Sequence, residues 1–222
     1  MSLARLLMLG LTAAVSLSPL VRVEGASAAT FSYVGTTSVS PYLNSGGYTF
    51  PAVLLPKFDI PGMCLSSVCV RLDGHTTGFA SFENYDNFPK VVNVTWSAKF
   101  DLLRPSLAPL LTVSPTVTTS DPVTSFDGNL DYAGTSGITH SGLGADAADS
   151  LCLSTPADLA LFSGPGTISL PCKAADVSFQ TGANSWSFGL LGVADIKVMY
   201  TYEECATPVA PMTWGRLKTT YR

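Results

Sequence analysis

Charge is scarce in this chain and imidazole scarcer still: 13% of its 222 residues are charged and two are histidine. Twelve basic residues face sixteen acidic ones, for a formal net charge of -4. That balance leaves no electropositive surface to neutralise a phosphate backbone, so nucleic acid is excluded as a partner class. The sequence also has no CxxC pair to suggest zinc or thiol redox chemistry and no G-x-S-x-G nucleophile elbow. Beyond the N-terminus no stretch reaches the ~18 uninterrupted apolar residues of a membrane helix.

What the chain does have begins with an N-terminal targeting pattern. Arg5 is followed by an apolar stretch over 6–20, too short and interrupted to span a bilayer, and Ala26-Ser27-Ala28 gives the small-x-small pattern that signal peptidase reads. Residues 1–28 are therefore expected to be a signal peptide, with no cysteine there for a lipobox, and the mature chain to be secreted or displayed at the cell surface. Its removal takes two arginines and one glutamate, which leaves the remainder more acidic.

Export makes the five cysteines candidates for disulfides rather than metal ligands. The expected pairs are Cys64 with Cys69, closing the short CLSSVC stretch, and Cys152 with Cys172 across the intervening connection. Cys205 is then odd: free, paired with another chain, or a replacement for one of the named partners.

Strand periodicity is nearly everywhere. In VVNVTWSAKFDL, Val92, Val94, Trp96, Ala98, Phe100 and Leu102 alternate with polar residues, the period of a half-buried strand. Val68, Val70 and Leu72 repeat the pattern, as do Trp186, Phe188 and Leu190 and then Ala194 through Tyr202, so Trp96 and Trp186 are both expected in the core. The last run is long for one strand and predicts a bulge near Gly189 or Gly192. Further strands are expected over 31–40, 48–58, 76–83, 110–119, 138–147 and 167–179, separated by turn signals such as SGG, PG, DG and GPG. Thr155-Pro156 heads a short apolar segment that predicts a single helix near 156–162. With fifteen Pro and nineteen Gly, no strand-helix rhythm and no internal repeat, the fold class is all-β. The architecture expected is an antiparallel β-sandwich, jelly-roll or immunoglobulin-like, over 29–204.

Two polar stretches stand out as candidate sites. SFENYDNFP (81–89) puts Glu83, Asn84, Asp86 and Asn87 together, and a second run carries Asp127, Gly128, Asn129 and Asp131. Both offer oxygens for calcium, a hard cation that takes six to eight of them, though neither matches an EF-hand loop. The metal candidates are Glu83, Asp86, Asp127, Asn129 and Asp131; no other cofactor is indicated. Both stretches also read as turns, because Asn and Asp bond their own backbone. The alternation on either side makes ENYDNFP the connection of a hairpin closed by Pro89. Glu83 and Asp86 are too close in sequence to straddle a sugar as a glycosidase pair. Ser136 lies near His140 in GTSGITHSG but without strand-turn-helix context, and neither His75 nor His140 is expected to be catalytic, so the chain reads as non-enzymatic. Tyr42, Tyr48, Tyr85 and Trp214 are candidate stacking surfaces for glycans. Asn93-Val94-Thr95 is a formal glycosylation sequon lying mid-strand.

Several segments in order, LLPKFD (54–59), TGFASFENYDN (77–87), VVNVTWSAKF (91–100), SFDGNLDYAGTSGITHSGL (125–143), TPADLALFSGPGTISLP (155–171) and VMYTY (198–202), resemble the choice-of-anchor E domain. The resemblance covers 31–203 and implies an extracellular bacterial β-domain with no assigned activity. It turns attention to the tail 205–222, which is punctuated by proline and has Arg216, Lys218 and Arg222 but no acid after Glu204. Trp214, Leu217 and Tyr221 fall on one side of a short turn there, so the tail reads as a loose end or a sorting or docking signal. The function expected is a structural or adhesive module that contacts a cell-envelope or matrix component. The alternative is a calcium-dependent carbohydrate-binding module.

Overall fold

The structure, a computed structural model, describes residues 28–205. Residues 1–27 of the expected signal peptide and the tail residues Trp214, Leu217 and Tyr221 lie outside the described residues. In chain order the elements are β1 (Ala29–Thr36), β2 (Tyr48–Thr49), β3 (Val53–Pro56), β4 (Met63–Glu83), β5 (Lys90–Leu103), β6 (Pro109–Val113) and β7 (Thr116–Val123). They continue as β8 (Gly137–Leu153), α1 (Pro156–Phe162), β9 (Thr167–Leu170), β10 (Cys172–Asp176), β11 (Phe179–Thr181) and β12 (Ser185–Glu204). The helix begins where its cap predicts: Thr155 Oγ1 accepts the Asp158 N–H at 3.3 Å. Among the described residues no helix is long and apolar enough to cross a membrane.

The strands form an antiparallel β-sandwich. One sheet runs β1-β12-β4-β8; the other is built around β5, which pairs with β7 and β6 on one side and β11 and β10 on the other, with β2 beyond β10. A small β3-β9 pair completes the fold. Proline divides runs that periodicity alone joins, because it has no N–H for a ladder. Pro115 separates β6 from β7, and Pro171 separates β9 from β10, which pair with different partners.

The core lies where the two inner faces meet. On β5, Val92 through Leu102 at every second position are at most 2% exposed. Opposite them are Val68, Val70 and Leu72 of β4 and Leu190, Ala194, Ile196, Val198 and Tyr200 of β12, all fully buried. Phe100 is seated by two glycines: a Cβ at Gly74 would lie 2.9 Å from its ring, and one at Gly192 would lie 3.0 Å away. The ring fills the hollow that these residues leave, and Phe50 stacks on it at 6.3 Å.

Several expectations are corrected here. SFENYDNFP does not close a hairpin: β4 and β5 belong to different sheets, so residues 84–89 carry the chain across the sandwich. Asp73-Gly74 is no turn but the middle of the 21-residue β4, its glycine used for Phe100. The irregularity of β12 falls at Thr201/Tyr202 rather than at Gly189 or Gly192, because those glycines admit the Phe79 and Phe100 rings instead. Trp96 is fully buried, but Trp186 is 53% exposed despite its phase. The segment after β1 accompanies β12 through bonds to Ala194, Gly192 and Leu190 and goes no further, so Trp186 sits at an open edge.

The disulfides are also not those expected. Cys64 bonds Cys205 and Cys69 bonds Cys152, while Cys172 is a buried free thiol. Cys64 and Cys69 share the extended β4, where five residues span about 16 Å, beyond the ~7 Å that a disulfide tolerates. Cys152 lies on the edge strand β8 of one sheet and Cys172 faces the core from the other. By contrast Cys69 and Cys152 are direct partners in the β4-β8 register, with Cα atoms 3.9 Å apart. The bridges close separations of 141 and 83 residues, and the chain-entropy account assigns loops of this size on the order of 4–5 kcal/mol each.

Burial, followed by the nearby Asp101, pushes the Cys172 thiol up to about 12, so the reactive thiolate is scarce at neutral pH. Native protein at pH 8 is expected to resist a thiol reagent, to show one reactive thiol after unfolding without reductant, and to yield linked peptides 64/205 and 69/152 on digestion. Thiol titration and peptide mass mapping check this; a linked 64/69 peptide contradicts it.

Candidate functional site

At one end of the sandwich three connections meet: 84–89 from β4 to β5, 124–136 from β7 to β8, and 182–184 from β11 to β12. The two oxygen-rich stretches singled out in the sequence are thereby joined, and a pair of fully buried polar side chains joins them. Glu83 Oε2 accepts the Tyr132 N–H at 2.8 Å, and its Oε1 accepts the Ser136 hydroxyl at 2.5 Å. Gly137 permits this approach, since a Cβ there would lie 2.2 Å from Oε2. Tyr132 holds a left-handed backbone (φ 55°), unfavourable for a side-chain-bearing residue. Three bonds hold it: its amide donates to Glu83, its carbonyl accepts the Thr139 hydroxyl at 3.0 Å, and its phenol meets the Ser185 hydroxyl at 2.9 Å.

Asn84 does the same for the crossing itself. Its Nδ2 donates to the carbonyls of Phe88 at 2.9 Å and Thr124 at 2.7 Å, and its Oδ1 accepts the Asp86 N–H at 3.0 Å. Both amide hydrogens and the carbonyl are used, as a buried amide requires. The 182–184 turn is tied in by Asn184, whose backbone N–H reaches the Glu83 carbonyl at 3.0 Å and whose Oδ1 accepts the Tyr85 N–H at 2.9 Å. Phe126 N–H donates to the Asp86 carbonyl at 2.8 Å.

The acidic calcium candidates are thus engaged by donors of the chain. Besides Glu83, Asp86 pairs with Lys90. Asp127 accepts the Asn129 N–H and Asp131 the Ala133 N–H, each at 3.0 Å, the local turns that Asp makes with its own backbone. These bonds hold the Asp127 carboxyl below its ordinary range, the Asn129 N–H first, with Thr135 and Ser136 adding. Among the described residues no group of three or more His, Cys, Asp or Glu is placed to hold a metal. The Ser-His reading is likewise unassembled. The Ser136 hydroxyl donates its hydrogen bond to Glu83, while His140 Nε2 faces Asp121 at 2.9 Å. His75 lies half-exposed on the outer sheet face between Asp146 at 2.7 Å and Asp195 at 3.6 Å.

What the network presents outward is aromatic. Tyr85 and Phe126 pack edge to face at 5.5 Å, and Tyr85, Phe88, Phe126 and Trp186 are all exposed. Lys90 lies over the Phe88 ring at 5.4 Å. Of the stacking candidates read from the sequence, Tyr85 belongs to this surface, Tyr42 is exposed beside Phe79, and Tyr48 packs on Phe50 at 5.2 Å. Phe88, Phe126, Tyr132 and Asn184 were not read as site residues. An aromatic inside the polar run SFDGN was a usable signal for Phe126.

Glu83→Gln puts an amide where two donors converge, and is expected to lower unfolding free energy by about 1–3 kcal/mol in urea denaturation. Asp127, Asp73 (beside Arg71) and Asp158 (beside Arg104) all titrate below their ordinary range in the folded chain. Their contribution is complete above about pH 4 and is lost as pH falls through the lowered values. Thermal melts should therefore hold between pH 5 and 7 and drop below about pH 4, with Asp127→Asn removing part of that drop.

No known protein family matches the chain, and neither does any curated protein. Solved structures do. The VP2 subviral particle of infectious bursal disease virus aligns at 14% identity over 88% of this chain and 42% of that one, with a TM-score of 0.28. The T13 particle of the same virus aligns at 14% identity over 88% and 40%, with a TM-score of 0.25. The chain spans about 42% of the length of the first of these, and superpositions this loose transfer no role. The resemblance of the sequence segments to a choice-of-anchor E domain is not upheld: no family model matches the chain, and the solved structures that align with it are viral particle proteins, so that resemblance is withdrawn together with the bacterial source it implied.

Proposed function

We propose that this β-sandwich is an exported structural module that acts through contact, with its loop end as the contact surface. The observation that carries the reading is the exposure of Tyr85, Phe88 and Phe126 on loops held by buried Glu83 and Asn84, with exposed Trp186 at the adjoining start of β12. Aromatic side chains supply large contact area, and loops already fixed in place lose little freedom on binding. Two long-range disulfides suit an oxidising compartment, in keeping with the N-terminal targeting pattern. The partner is a cell-envelope or matrix component, with glycan as the stacking-type candidate.

The combined variant Tyr85→Ala, Trp186→Ala is expected to melt close to the parent, because both side chains are exposed, yet to lose retention on the producing cell or its matrix on fractionation. Unchanged retention overturns the assignment of the surface. The calcium-dependent carbohydrate-binding alternative instead requires a melting temperature that falls with chelator and a chelator-sensitive glycan-array signal; the structural reading requires neither.

A further inference from the structure

A cavity of about 340 Å³ opens at the other end of the molecule, between the approach to β4 and helix α1. Its wall is apolar: Phe58, Ile60, Met63, Leu65 and Leu159 line it, Ala160 forms part of its edge, and Asp59 is its one charged side chain. That volume is at the lower end of what small ligands occupy and suits one or two large side chains.

The chain itself is delivered to this mouth. Cys205, the last described residue, donates its N–H to the Gly62 carbonyl at 3.0 Å and is bonded to Cys64, which is part of the cavity wall. The next nine residues, ATPVAPMTW, carry no charge and include Val209, Met212 and Trp214. Extended, nine residues reach roughly 30 Å, ample for a cavity that begins at their anchor. Beyond them Arg216, Lys218 and Arg222 come without any acid, whereas Asp59, Glu203 and Glu204 are exposed around the point of exit. Pro208 and Pro211 restrict the segment before it binds, which lowers the ordering cost.

We propose that residues 209–214 of the chain's own C-terminal segment occupy this cavity, with the basic residues that follow set against the acidic rim. Tethering at Cys205 gives the segment an effective concentration in the millimolar range, well above that of a second copy in dilute solution. The Cys64–Cys205 bridge then serves two ends, since it shapes the wall and holds the occupant at the entrance.

Tryptophan makes the test direct. In full-length protein carrying Trp186→Phe, Trp96 is fully buried, so acrylamide quenching reports chiefly on Trp214. Quenching is expected to be several-fold weaker than that of a free peptide of residues 206–222. It should rise toward the peptide value, with red-shifted emission, when Ala160→Glu places a charge at the cavity edge; Ala160 is exposed, so the fold should tolerate the change. Excess free peptide should likewise increase quenching by displacing the tethered segment. Free-peptide-like quenching in the Trp186→Phe parent overturns the proposal, as does insensitivity to Ala160→Glu in a protein whose melt is unchanged. Shielding that disappears on dilution assigns the cavity to the tail of a second copy and overturns the intramolecular form.

Discussion

Everything else in this molecule hangs on the antiparallel ladder between β4 and β12. It aligns Met63–Glu83 with Ser185–Glu204 along their whole length, and its inner face supplies half of the core that covers β5. A strand pair this long twists and frays unless its ends are secured. One end is secured covalently, by Cys64–Cys205 on one flank of β4 and Cys69–Cys152 on the other. The opposite end is secured by hydrogen bonds, where Glu83 and Asn184 hold the last rungs beside the crossing to β5.

The crossing explains why two polar side chains are buried in a protein with so few charges. A chain that leaves one sheet for the other must take backbone N–H and C=O groups through a region that neither ladder can satisfy, and each unpaired buried group is costly. Asn84 and Glu83 provide the missing donors and acceptors. They serve the 124–136 loop at the same time, so one pair of residues orders two connections and places the aromatic side chains they bear. The acid and amide side chains that stand out in the sequence are here the joinery of a corner.

The same pattern of residues led to correct and incorrect expectations for one physical reason. The alternation in β5 is buried as read because strands flank it on both sides. Trp186 follows the same alternation but lies past the last bond from the 37–43 segment, so its phase points inward where nothing covers it. Gly74, Gly189 and Gly192 read as places to turn or bulge, and instead they are places where rings from elsewhere pack against bare backbone. Periodicity reports the direction a side chain faces; it does not report what stands opposite.

From the sequence by itself came the β-strands, the short capped helix, the inward residues of β5 and β12, and the scarcity of catalytic side chains. These depend on local alternation, proline and capping chemistry, all of which act over a few residues. Only the tertiary structure decided that 84–89 joins two sheets rather than two neighbouring strands, that Cys64 meets Cys205 and Cys69 meets Cys152, that Ser136 is spent on Glu83, and that Asn84 is spent on the backbone of both connections. Those outcomes depend on which strands become neighbours across 40 to 140 residues of chain, and that choice is made by the burial of the whole core rather than by any stretch of it.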